Sequence, residues 1–220
     1  MEKLYGVQST VPTNTQLKNR RNLYSWFKRH KGTPAFWARA LTNSAPILKN
    51  ELAFLSKNSC KILLVFQDLS QRSVMSTSAE KDVFHAVNMA RNLGVNEKNI
   101  AIFAEIKPEW QVNPRWMASY ADEMIYRGYI PGFICSEEVY DALNTVHISD
   151  ELSRWVKPVT DCSRVVFMLL EPKSKKDAKP HSSSVALQIC GKVKFEGFET
   201  KTIEITDERV LNNLWLPQIS

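Results

Sequence analysis

The stretch from Asn99 to Ser136 constrains the fold of this chain more than any other. Asn99-Ile100-Ala101-Ile102-Phe103-Ala104-Glu105-Ile106-Lys107 is an apolar run that ends in two charges and is closed by Pro108. Asn113-Pro114 opens a helical segment to Arg127, with Trp116, Met117, Tyr120, Met124 and Ile125 among its apolar positions, and Gly128 stops it. Tyr129-Ile130-Pro131-Gly132-Phe133-Ile134-Cys135-Ser136 reads as the next strand. Strand, crossover helix and strand, with glycine at the helix end, define a parallel βαβ unit. Parallel strands covered on both faces read as nearly continuous apolar runs, as these do. Charge at the C-terminal end of such a strand is costly to bury and usually faces a cleft. Glu105 and Lys107 are two apart, so an extended strand puts both on one face, with the inner mouth of a barrel as the better home for them.

The same alternation runs through the first half of the chain. Leu4 to Ser9 is a short strand, followed by a polar loop with Pro12 and an amphipathic helix from about Leu17 to His30. Pro34 to Ala40 is the second strand, and Ile47 to Lys57 the second helix, with Ile47, Leu48, Leu52 and Leu55 on one stripe. Cys60 to Asp68 is the clearest strand, and Ser78 caps a helix to Asn92 that Gly94 closes. The pattern then loosens. A helix from Ser136 through about Leu143 and a turn or two over Ser149 to Trp155 precede strands at Arg164–Glu171, Val185–Cys190 and Thr202–Ile205. Asp207 caps a last helix through Trp215. Eight strands, the first five alternating with helices, predict an α/β fold: one compact (β/α)8 TIM-type barrel, irregular around strands six to eight. The competing architecture is a doubly wound open sheet. No linker divides the chain, so residues 1–220 are expected to form one domain.

Composition excludes several function classes. No apolar stretch reaches the roughly 18 residues needed to span a bilayer. No basic segment followed by an apolar one opens the chain, so no signal peptide is expected, which leaves cytoplasmic residence or export by another route. The net charge of +6 favours polyanionic surroundings. Basic residues cluster over Lys18–Lys31, the solvated face of a helix, and over Lys173–Lys179, a loop beside Pro172 and Pro180. Neither cluster is interleaved with aromatics, so nucleic acid is not an expected partner. Cys60, Cys135, Cys162 and Cys190 are scattered without metal-ligand spacing, as are His30, His85, His147 and His181. The expectation is free, buried cysteines and no metal. No GxGxxG follows a strand, and no cofactor is expected.

Tyr5-Gly6-Val7-Gln8-Ser9, Phe36-Trp37-Ala38-Arg39, Ile102-Phe103-Ala104-Glu105, Arg127-Gly128-Tyr129-Ile130-Pro131-Gly132-Phe133 and Leu187-Gln188-Ile189 follow one another along the chain. In that order they resemble the glycoside-hydrolase-like TIM-barrel family related to the family 25 lysozymes, over nearly the whole length. The resemblance implies a distorted barrel that cleaves or binds bacterial cell-wall glycan, a carbohydrate polymer of the peptidoglycan type. Departures from the pattern are specific. The family's first strand usually ends in an acid, where Gln8 stands here. The lysozymes' Asp-x-Glu pair falls on Glu105 and Lys107, or one residue earlier on Ala104 and Ile106, and neither register keeps two acids. Glycoside hydrolysis normally uses two carboxyls, about 5–5.5 Å apart for retention or about 6.5–9.5 Å for inversion. A lysine beside a carboxylate favours its ionised form, the opposite of what a general acid needs.

Two readings follow. As a glycosidase, Glu105 is the acid/base, Asp68 or Glu171 the second carboxylate, and Gln8, Arg39, Lys107 and Gln188 contact substrate. As a degenerate barrel, the protein binds glycan or a protein partner without cleaving it, Glu105 with Lys107 is an ion pair at the mouth, and Arg39 is likewise an ion-pair partner. Trp37 and Trp110, near strand ends, are candidate sugar platforms or core residues.

Overall fold

In the computed structural model the described residues are 4–18, 20–96, 98–146, 165–170, 185–195 and 197–218. Eight strands close into a barrel in sequence order: β1 (Tyr5–Ser9), β2 (Phe36–Leu41), β3 (Lys61–Phe66), β4 (Ala101–Glu105), β5 (Ile130–Cys135), β6 (Val166–Leu169), β7 (Val185–Phe195) and β8 (Phe198–Ile205). The closed barrel expected from the alternating pattern is therefore present, and the open sheet is not. Strands β1 to β7 run parallel, whereas β8 is antiparallel to both β7 and β1. The reason is the connection: β7 and β8 are joined by a tight hairpin with Gly197 at φ 91°, and a connection that short permits only antiparallel pairing.

Helices α1 (Leu23–Lys31), α2 (Lys49–Lys57), α3 (Gln71–Val74), α4 (Glu80–Asn92), α5 (Pro114–Tyr126) and α6 (Glu137–Val146) surround the strands. Asn113 caps α5, accepting from Arg115 N, with Pro114 in the first turn. Three boundaries differ from expectation. The first helix starts at Leu23, because Asn22 accepts from Ser25 N and ends the preceding loop there. The short α3 is extra, nucleated by a reciprocal Ser70–Ser73 capping box. The α4 helix begins after Ala79, whose amide donates to Ser119 of α5, while Ser78 Oγ, one residue earlier, accepts from Glu80 N at 3.4 Å.

Period two along each strand separates two cores. Trp37, Ile62, Leu64, Phe66, Ile102, Ala104, Phe133 and Cys135 face outward and pack under the helices. Phe36, Ala38, Leu63, Val65, Phe103, Ile134, Met168, Leu187 and Ile203 fill the lumen. Gly6 and Gly132 make that filling possible: a Cβ on Gly6 would lie 2.1 Å from the Phe36 ring, and one on Gly132 2.6 Å from the Phe103 ring. The lower end is plugged by a 3₁₀ helix, Glu208–Asn213, in place of the expected α-helix. Val210 and Leu214 insert into the lumen, Lys61 Nζ donates to Leu211 O, and Ile62 and Trp215 exchange backbone hydrogen bonds. The bottom is therefore closed, and the C-terminal ends of the parallel strands form the mouth.

Candidate functional site

Alternation decides which expected residues reach that mouth. Gln8 pairs with Ala38 of β2, a lumen residue, and so lies on the inner face near the end of β1. Its Oε1 is buried without a hydrogen-bond partner. Glu105, two residues beyond lumen-filling Phe103, lies on the inner face at the end of β4 and accepts a hydrogen bond from Gln67 Nε2. Gln67 is the residue that inspection of the sequence missed. The signal was available, because extending the inward alternation of Leu63 and Val65 by one step reaches it.

Arg39 and Gln188 are not at the mouth. Arg39 pairs with Leu64, an outer-core residue, and is only 1% exposed. Its Nε lies 2.9 Å from Glu51 Oε1 of α2 in a fully buried charge contact, without the alignment of a hydrogen bond. Its Nη1 donates to Ser9 O at 3.0 Å, and Glu51 also accepts from Thr13 N at 2.8 Å. Arg39 thus ties β2 to α2 and the loop after β1, out of reach of any solute. Gln188 pairs with outer-core Leu169 and with Glu204, which places it on the outer face of β7. Proximity to a strand end suggests the mouth for both but says nothing about which side of the wall a side chain takes, and for Arg39 the ion-pair alternative holds.

Lys107 has left the strand. The ladder ends as Ile106 N donates to Ile134 O, Pro108 starts a turn closed by Trp110 N to Lys107 O at 3.0 Å, and Lys107 Nζ lies over the Trp110 ring at 5.1 Å. Glu105 and Lys107 therefore take different partners. Of the two registers proposed for the acid pair, only the one containing Glu105 faces the lumen; Ala104 and Ile106 are buried in the outer core. Trp37 is also in that core, fully buried against Tyr24 and Phe27. Trp110 is partly exposed and lines a cleft of about 320 Å³ with Pro108, Met117 and Val139 beside the mouth.

Asp68 follows Gln67, and its carboxylate accepts from Thr42 Oγ1 and, at 3.5 Å, from Asn43 N, which latches the loops after β2 and β3 together. Glu171 lies outside the described residues, as do Cys162, His147, His181, the Ser149–Trp155 turn and the Lys173–Lys179 loop.

Cys60 and Cys135 are buried and unbridged, and burial pushes each thiol up to about 12. Cys190 is exposed, contrary to expectation, because it is the extra residue at a β-bulge opposite Thr202. The Asp82 carboxyl is raised by burial even though Trp116 Nε1 donates to it at 2.9 Å, and it sits on α4 behind the outer core. Among the described residues no group of three or more His, Cys, Asp or Glu is arranged to hold a metal ion, and no helix is long and apolar enough to cross a membrane.

A closed eight-stranded barrel of this kind has counterparts among solved structures. No family model matches the sequence, and no curated protein matches it. The chain is similar to an uncharacterized B. stearothermophilus protein (20% identity, TM-score 0.71, covering 96% of this chain and 100% of that one). It is also similar to a Tat-secreted protein of Mycobacterium tuberculosis solved with HEPES (14% identity, TM-score 0.59, 92% and 95% covered). A third is a glycosyl hydrolase 25 of Streptococcus pneumoniae (11% identity, TM-score 0.54, 98% and 94% covered). At these identities the likeness shows the fold alone: the chain has a closed α/β barrel like that of the glycosyl hydrolase 25 structure.

Proposed function

We propose that this chain binds bacterial cell-wall glycan at its barrel mouth, with Glu105 as the principal polar contact. The observation that carries the reading is the placement of Glu105: an acid on the inner face at the open end of a barrel whose other end is plugged, on the fold of a glycosyl hydrolase 25. Side-chain amides from Gln67 and Gln8 share that face, and amides with a carboxylate suit the hydroxyls and acetamido groups of a wall sugar. Binding is favoured over cleavage because Gln8 stands where an acid is usual and Asp68 is held by Thr42 and Asn43. Among the described residues, no second acid is recorded against Glu105.

The second reading is hydrolysis with Glu105 as acid/base, favoured by its being the lumen-facing member of the register that aligns with the lysozyme acids. One experiment separates the two. Parent and Glu105→Gln are incubated with purified peptidoglycan sacculi, and both sedimentation with the sacculi and release of reducing ends are measured. The binding reading expects saturable co-sedimentation and no reducing ends from the parent. Turnover by the parent that falls roughly 10²–10⁴-fold in Glu105→Gln would assign hydrolysis instead. Absence of co-sedimentation would end both readings.

A further inference from the structure

The wall of the mouth opposite Glu105 is cationic, and its construction is specific. In an eight-stranded barrel β8 lies across from β4, so residues on the inner face of β8 look toward Glu105. Ile203 of β8 fills the lumen, and Lys201, two residues nearer the mouth, takes the same face, directly opposite Gln8 in the β1–β8 ladder. Lys201 is partly buried, and among the described residues no acid is recorded against it. An acid at position 8, as the resemblance leads one to expect, would sit beside that ammonium and neutralise it. Gln8 leaves its charge available.

The β7–β8 hairpin adds a second lysine by a distinct device. Up to Ile189 the inner face of β7 carries Leu187 and Ile189. The register then shifts, with Ile189 opposite Ile203 but Gly191 opposite Thr202. The extra residue, Cys190, reverses the alternation. Lys192 falls opposite Lys201 on the inner face, while Val193, Phe195 and Phe198 turn outward to pack on the outer core, Phe195 against Trp26 and Phe27 of α1. A Cβ on Gly191 would lie 3.0 Å from Thr202 Oγ1, so a small residue suits the bulge. Bulges at barrel rims commonly re-aim side chains in this way. Like charges directly opposite across a ladder are destabilising, and the next inner pair up the hairpin is Lys194 with Glu199.

We infer that the mouth recognises an anionic substituent on its glycan, a carboxylate or a phosphate, through Lys201 with Lys192 beside it. This rests on the glycan-binding reading and deepens it: the polymer lies across the lumen with hydroxyl and amide groups toward Glu105 and its negative group toward the β7–β8 wall.

The test uses the full chain and four insoluble probes: native sacculi, sacculi stripped of phosphate polymers with hydrofluoric acid, sacculi whose carboxyls are amidated, and uncharged chitin. Parent protein is expected to bind native sacculi about tenfold or more tightly than chitin, the scale of a hydrogen bond to a charged group. Weakening on amidation alone names the carboxylate, and weakening on stripping alone names the phosphate. Lys201→Met should lose the same factor on native sacculi and discriminate no longer, whereas Lys201→Arg should keep most of it. The probe-side modifications use the unaltered protein, so the inference stays testable even if Lys201→Met does not fold. Equal binding of the parent to native sacculi, to sacculi treated both ways and to chitin would overturn the anion site and leave glycan binding standing. Binding to none of the four would remove glycan binding and the anion site together.

Discussion

Arg39 and Glu105 make an instructive pair. Each stands near the C-terminal end of a parallel strand, and each carries a charge the surrounding apolar run cannot absorb. Arg39 faces outward and is sealed against Glu51, Ser9 and the helix layer, whereas Glu105 faces inward, accepts from the Gln67 amide, and is partly exposed at the mouth. The outer face of a barrel strand lies under helices, so a charge there must be paired within the protein. The inner face at the mouth ends in solvent, so a charge there can be left for a ligand. One step of strand alternation therefore separates a structural charge from a candidate functional one.

That contrast is open to attack on stability. The largest effect is expected from Arg39→Met, which leaves Glu51 buried without its cation and should cost about 3–5 kcal/mol. At roughly 2–4 °C per kcal/mol for a chain of this size, thermal melting should fall by about 10 °C. Adding Glu51→Leu should recover much of the loss, because removing both charges removes the unpaired one. A single variant that melts within a degree or two of the parent would mean that the outer pair is not what holds α2 to the barrel.

A smaller effect is expected inside the lumen. Gly6→Ala drives a methyl into the Phe36 ring, and the ring has little room because the lumen is filled on every side. Overpacking of this kind typically costs about 1–3 kcal/mol. A measured urea midpoint unchanged by Gly6→Ala would show that the inner layer is looser than its contacts imply.

The smallest effect belongs to Glu105→Gln. The side chain is only partly buried and no buried cation depends on it, so its loss should change unfolding free energy by no more than about 0.5 kcal/mol. Binding to sacculi or turnover on them is the readout that should move. A stability loss in Glu105→Gln as large as that in Arg39→Met would erase the distinction between the two faces.

The sequence by itself determined the alternating strands and helices, the closing glycines and the caps at Asn113 and Asp207, whereas closure of the sheet into a barrel came from the structure. These features are local: apolar runs, period and turn chemistry act over a few residues and can be read in order. It also singled out Glu105, since an acid closing an apolar strand is conspicuous in one dimension. What only the tertiary structure decided was the side of the wall. Arg39, Gln188 and Trp37 looked as close to a strand end as Glu105 did, but the register of the closed sheet turned each of them outward. The last stretch shows the same limit more sharply. Nothing local marks Cys190 as the extra residue of a bulge, because a bulge exists only against a partner strand. That one mismatch sends Lys192 to the mouth and Phe195 to the helix layer. Sequence alternation supplies two faces, and only barrel closure and strand register decide which of them looks inward.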